Sequence, residues 1–197
     1  MRRIASLVAA IAIAAPALPA AAQLMDILSA PKTLIERAAE ARSVSDIAKD
    51  NAIVVKVNAA MAKQTTIKAA TEIYEQRLLV TGLFDDKAAY DAFQKDVKAV
   101  DGVKALYWHV TYLAETDPKR KTLPSWSDTL ALATKAQVRL TEAVAGHYVN
   151  FRVTGDSYSN LYVIGRAHTK DESDSVIAAL KDGDGVKKVV SHIDIRP

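Results

Sequence analysis

The tetrapeptide Asp-Gly-Val-Lys occurs twice, at 101–104 and at 184–187, and a histidine follows each at the same distance, His109 and His192. Sliding the chain against itself by that offset aligns more than one phrase. Thr71 falls on Thr154, and Ala62 on Ala145. Leu78, Val80 and Gly82 fall on Leu161, Val163 and Gly165. Several matches at one fixed offset, in order, mean a duplicated structural unit. Whatever one copy folds into, the other must fold into as well.

Each copy reads as helix, strand, strand, helix, strand. In the first, Ile47, Val54, Val57 and Met61 share one helical face, with Ser43 or Ser45 as the cap. Strands are predicted over 66–71 and 77–84. Asp85 and Asp86 lead into a helix carrying Tyr90, Phe93, Val97 and Val100, and Gly102 stops it. Leu106, Trp108, Val110 and Tyr112 then alternate as a last strand. The second copy repeats the plan. Leu130, Leu140 and Val144 mark its first helix, and strands are predicted over 148–153 and 161–168. Asp171 and Glu172 open a helix with Val176, Ile177 and Leu180, closed by Gly185, and Val189, Ile193 and Ile195 line the final strand.

The predicted class is α+β: two tandem αββαβ units, each a three-stranded mixed sheet covered on one face by two helices. Units of about 70 residues have small cores, which favours their packing on each other. The other sheet face is expected to stay open. His109 is then a solvated strand histidine, and Tyr107, Thr111 and Val190 are exposed beside it. Gly82 and Gly165 are read as a bulge or a close helix–sheet contact.

The remaining segments punctuate this plan. Residues 1–22 have two arginines, an apolar run from Ile4 to Ala15, and Ala20 and Ala22 before Gln23, the form of a cleaved signal peptide. Residues 23–42 form an arm or short helix, 43–113 the first unit, 114–126 a linker with two prolines, and 127–197 the second unit. Removing Arg2 and Arg3 lowers the formal charge from +3 to +1. Both units are charge-balanced, so no basic face for nucleic acid is expected. There is no cysteine. Disulfides, thiolate metal sites and a lipidated N-terminal cysteine are therefore excluded.

Catalytic signatures are missing too: no G-x-S-x-G, no H-E-x-x-H and no P-loop. The histidines at 109, 147, 168 and 192 show no convergent ligand spacing, so no catalytic, cofactor or metal site is expected. The run DGDG at 182–185 reads as a helix-ending turn, because Lys187 and Lys188 stand where a calcium loop needs oxygen ligands.

The strand phrases LLVTG and LYVIG, the closing phrases DGVKALYWHV and DGVKKVVSHI, and the opening ARSVSDIAKDNAIVVKVNAAM together resemble the BON (bacterial OsmY and nodulation) family. The resemblance covers about 43–195. It implies a periplasmic, OsmY-like or DolP-like protein of the envelope, supporting membrane integrity or the osmotic stress response. It also implies weak association with an anionic phospholipid surface of the outer or inner membrane, involving the first helix of the second unit. Lacking a cysteine to acylate, this chain would be peripheral to the membrane, not a lipoprotein. The candidate lipid contacts are Lys119, Arg120, Lys121 and Trp126 in the linker, with Lys135 and Arg139 sharing a polar face of the next helix. The alternative is a periplasmic protein-binding or chaperone-like module that meets an envelope protein through open sheet faces or edges.

Overall fold

The computed structural model describes residues 40–64 and 68–197. The expected signal peptide and the arm up to residue 39 lie outside the described residues. From the first described element onward, the order is α1 Val44–Ala62, β1 Ala69–Tyr74, β2 Arg77–Phe84, α2 Lys87–Lys98 and β3 Ala105–Tyr112. A 3₁₀ turn, Pro118–Thr122, follows. Then come α3 Trp126–Ala143, β4 Phe151–Gly155, β5 Asn160–Ala167, α4 Lys170–Lys181 and β6 Lys188–Ile195. The bounds of β2, α2 and β3 map onto those of β5, α4 and β6 at the offset of 83 that separates His109 from His192. The two αββαβ repeats are there, each with its own sheet, ordered β1-β2-β3 and β4-β5-β6. In both sheets the first pair is antiparallel and the second parallel.

Local chemistry explains the helix starts. Ser43 caps α1 by accepting from the Asp46 amide, Asp86 caps α2, and Thr169 caps α4. Ser125 begins α3 with a reciprocal capping box to Asp128. Trp126 is therefore the first residue of α3, not the end of the linker.

Two predicted strands shift. The first runs to Tyr74, because the hairpin turn is the pair Glu75 and Gln76, both with positive φ (52° and 63°) and neither a glycine. The other is replaced at its start by a 3₁₀ turn over Tyr148–Asn150. The hairpin is held from outside. Asp50 of α1, 1% exposed, accepts from the amides of Glu75 and Gln76 at 2.9 and 2.7 Å and from Gln76 Nε2 at 2.9 Å. Its second oxygen also pairs with Arg42 at 2.7 Å. The second repeat solves its own turn differently. Asp156 accepts from the amides of Tyr158 and Asn160 and from the Tyr162 hydroxyl.

Helices cover one face of each sheet. Ile53, Val57, Phe93 and Val97 pack on Leu78, Val80, Phe84 and Val110 in the first repeat. Leu140, Val176 and Leu180 pack on Leu161, Val163 and Phe151 in the second. The fillings differ. Phe84, Tyr90, Phe93 and Trp108 form linked ring contacts, whereas the equivalent positions hold Ala167, Ser173, Val176 and Ser191.

The opposite faces are not open, and here the sequence expectation is corrected. The sheets stack on each other. Tyr74, Leu79, Tyr162 and Ile164 make a third buried cluster, and Tyr107 and Val190, expected in solvent, pack against it. His109 is not a solvated strand histidine. Its Nε2 lies 2.9 Å from Nε2 of His192, its counterpart in the other repeat. Tyr107 stacks on His192 and Tyr162 lies against His109, with centroids 3.9 and 4.3 Å apart. The meeting of equivalent residues is the pattern a two-fold relation produces. Thr81 and Thr154 share a hydrogen bond across the seam at 3.2 Å. Arg77 of β2 donates to the Gly165 and His192 carbonyls and pairs with Asp194. Of the residues expected on open faces, Thr111 alone is exposed.

The seam gives a pH prediction. Burial first, then His109 and Arg77, push the His192 imidazole down to about 4. Burial also lowers His109, with Asp156 opposing and Lys188 assisting. An unfolded histidine titrates near 6.5, so the unfolded chain binds more protons between about 6.5 and 4. Stability present above that window is lost as pH falls through it, by about 1 kcal/mol once screening at a half-exposed pair is allowed for. His192→Gln should flatten this slope in urea titrations across the window. Glu72, whose carboxyl burial pushes up to about 7 against the pull of Arg152, titrates with the opposite sign in both proteins and cancels in the difference.

Candidate functional site

With the sheet faces closed on each other, the surface left for a partner is the outside: helices, linker and turns. The six residues singled out from the sequence do not behave as one group there. Lys119 and Lys121 stand exposed on the 3₁₀ turn that Asp117 caps. Lys135 is exposed on α3. The ammonium groups of these three make no ion pair among the described residues.

Arg120 and Arg139 are corrected. Arg120, expected to be exposed, turns inward and donates to the Leu113 carbonyl at 2.5 Å and to Asp85 at 3.3 Å. It ties the linker to the first repeat. Arg139, four residues on from Lys135, turns its guanidinium onto α4 and away from solvent. Its Nε donates to the Ala179 carbonyl of α4 at 3.1 Å, and its guanidinium lies against Gly183. Both arginines are fold contacts and are half-buried.

Trp126 is half-buried and belongs to none of the three apolar clusters among the described residues. On α3, Ala131, Lys135 and Val138 follow one another at spacings of four and three, so they share one face. All three are exposed, Val138 by 55%. The site thus reduces to three lysines, an indole at a helix start and a small apolar stripe. Positive charge and an amphipathic ring are each suited to an interfacial contact, but Trp126 and Lys135, nine residues apart, stand on opposite faces of α3. No helix among the described residues is long and apolar enough to cross a membrane.

One grouping was not read from the sequence. His147, His168 and Glu172 place their ligand atoms within 4.8 Å of one another. His168 and Glu172 are four apart at the start of α4, a spacing visible in the sequence. His147 comes from the far side of β4 and β5, and only the fold brings it in.

Fold and surface together give two αββαβ repeats closed face to face, with sparse positive charge outside. No family model matches the chain, and no curated protein does. Among solved structures, the chain aligns with CdsD, a structural protein of the Type III secretion system of Chlamydia trachomatis. The alignment covers 74% of this chain and 92% of that one at 12% identity, with a TM-score of 0.30. With the C-terminal domain of CdsD the figures are 74%, 98%, 13% and 0.29. Likeness at that level carries no argument about fold or function.

Proposed function

We propose that this chain is an exported tandem BON-domain protein that associates weakly and reversibly with anionic phospholipid at a bacterial envelope membrane, in support of envelope integrity or the osmotic stress response. The family reading is supported by the twice-written αββαβ order. It is also supported by the placement of the LLVTG and LYVIG phrases on the central strands β2 and β5 and by the DGVK turns before β3 and β6. The observation that carries the lipid reading is the exposure of Lys119, Lys121 and Lys135 without ion-pair partners among the described residues; Trp126, outside every apolar cluster, opens the helix that follows the Lys119–Lys121 turn. Each such lysine near an anionic surface contributes on the order of 1 kcal/mol. Three give a weak attraction, which is why the association is reversible.

For the protein-binding alternative the sheet edges remain, while the sheet faces are occupied by each other. Localisation in the periplasm and the lack of catalysis belong to the same proposal.

The test is co-sedimentation with anionic and neutral vesicles. Binding is expected to anionic vesicles only, and to fall as salt shortens the Debye length from about 10 Å at 0.1 M to about 3 Å at 1 M. Replacing Lys119, Lys121 and Lys135 together by Ala should reduce binding about tenfold or more at low salt, with an unchanged melting temperature. Arg120→Ala should instead lower stability. Equal binding to both vesicle types, or binding unaffected by the triple replacement, would sink the proposal.

A further inference from the structure

We infer that His147, His168 and Glu172 form a binding site for a zinc-type divalent cation. Glu172, in the first turn of α4, is held in place. It accepts the backbone N–H of His168 at 2.6 Å, and its own amide donates to Thr169. Nδ1 of His147 lies 3.0 Å from its Oε1, and Nδ1 of His168 lies 3.3 Å from its Oε2. Two imidazole nitrogens and a carboxylate therefore converge on one point. Metal bonds of about 2.0–2.1 Å in a tetrahedron put neighbouring ligand atoms roughly 3.3 Å apart; the two contacts run to the two carboxylate oxygens in turn, and one ligand atom from each residue already lies within 4.8 Å of the other two. The spacing closes by rotation of His147, whose side chain is 54% exposed and makes no cap bond to the 3₁₀ turn it precedes.

The donor set is two neutral imidazoles and one carboxylate, which suits zinc, nickel and copper over calcium or magnesium. Three protein ligands leave a fourth position for water. That position faces a shallow groove of about 400 Å³ walled by Ala143, Val144, Thr169 and Ser175, so an ion has a path in. The two imidazoles already stand side by side, with centroids 5.1 Å apart.

The duplication supplies an internal control. The positions of the first repeat equivalent to His147, His168 and Glu172 hold Gln64, Asp85 and Ala89. The same fold is built there without the triad. Helix capping at α4 needs Thr169 and explains neither histidine. The triad is therefore an addition specific to the second repeat.

The experiment is calorimetric titration of the tag-free full chain with Zn²⁺, with Ni²⁺ as a second probe, beside thermal unfolding. One-to-one binding is expected, with a melting temperature that rises with Zn²⁺ and returns on chelation. His147→Ala should weaken Zn²⁺ binding 10–100-fold while leaving the metal-free melting temperature unchanged, because that side chain is exposed. His168→Ala should weaken it similarly. Glu172→Gln keeps an acceptor for the His168 amide and should still lose affinity. His109→Gln, which removes a histidine of the seam, should leave Zn²⁺ affinity intact. Absence of binding at about 1 mM Zn²⁺, or equal affinity in the His147→Ala, His168→Ala double variant, overturns the site. So does loss of binding in His109→Gln alone.

Discussion

Asp50→Ala is expected to destabilise the protein by about 3–5 kcal/mol, although Asp50 touches no candidate site. Its carboxylate serves two structures at once. One is the β1–β2 hairpin, whose two turn amides and Gln76 side chain it accepts. The other is Arg42, 7% exposed, which lies over the Tyr74 ring at 4.7 Å. Removing the carboxylate leaves Arg42 with Glu40 as its remaining counter-charge and leaves two buried amides and the Gln76 side chain short of an acceptor, a combined loss of several kcal/mol. The hairpin has no glycine to hold its positive φ values, so its own sequence does not compensate. Asp50→Asn keeps an acceptor for the amides and should lose less, about 1–2 kcal/mol. Asp101, 96% exposed and 4.0 Å from Lys56, is the contrast, and Asp101→Asn should change stability by less than about 0.5 kcal/mol. Urea unfolding with a constant m-value is the measurement.

Gly165→Ala is the second large effect, and Gly82→Ala its twin. A Cβ built at Gly165 stands 2.9 Å from the Phe151 Cα and overlaps the Asn150 carbonyl; one built at Gly82 stands 2.9 Å from the Ala69 Cα. In each repeat the glycine lets the central strand approach the backbone of its antiparallel neighbour. These are strand–strand contacts, not the bulge or helix–sheet contact expected from the sequence. Backbone cannot step aside as a flexible side chain can, so each substitution should lose about 3 kcal/mol. Gly146→Ala is the control for space, since nothing lies within 4 Å of its built Cβ. It has φ of +85°, so about 1 kcal/mol of backbone strain is expected there. Losses at 82 and 165 that match the loss at 146 would mean that close approach is not what fixes those glycines.

The repeat made most of the fold legible. Once Asp101–Lys104 is matched to Asp184–Lys187, one periodicity reading is checked by a second, and β2, α2 and β3 carry over residue for residue. Turns without turn residues were harder. Glu75 and Gln76 do not look like a hairpin, because the residue that holds them, Asp50, is 25 and 26 positions away. The closed seam has a signal of its own in the sequence. LLV at 78–80 and LYVI at 161–164 are continuous apolar runs, and a strand that is apolar on both faces needs cover on both. Alternation appears in β3 and β6, which are edge strands, and says nothing of the central strands. At the candidate site, counting charge could not separate Lys119 and Lys121 from Arg120. What turns Arg120 inward is Asp85 and the Leu113 carbonyl, and both are long-range or backbone partners. The pairing of His147 with His168 was hidden for the same reason.

Lipid association through the outward face of the linker and α3 is tested most directly at Trp126. The chain has two tryptophans. Trp108 is part of the first repeat's core shell and lies within reach of the Tyr90 hydroxyl at 3.3 Å. Trp108→Phe, a core replacement that keeps an aromatic ring against Phe93, leaves Trp126 as the single reporter. Its emission, titrated with anionic vesicles at low salt, is expected to shift to the blue, to saturate, and to return on raising salt; neutral vesicles should leave it unmoved. Emission that stays unchanged with anionic vesicles at low salt would contradict membrane contact at this surface.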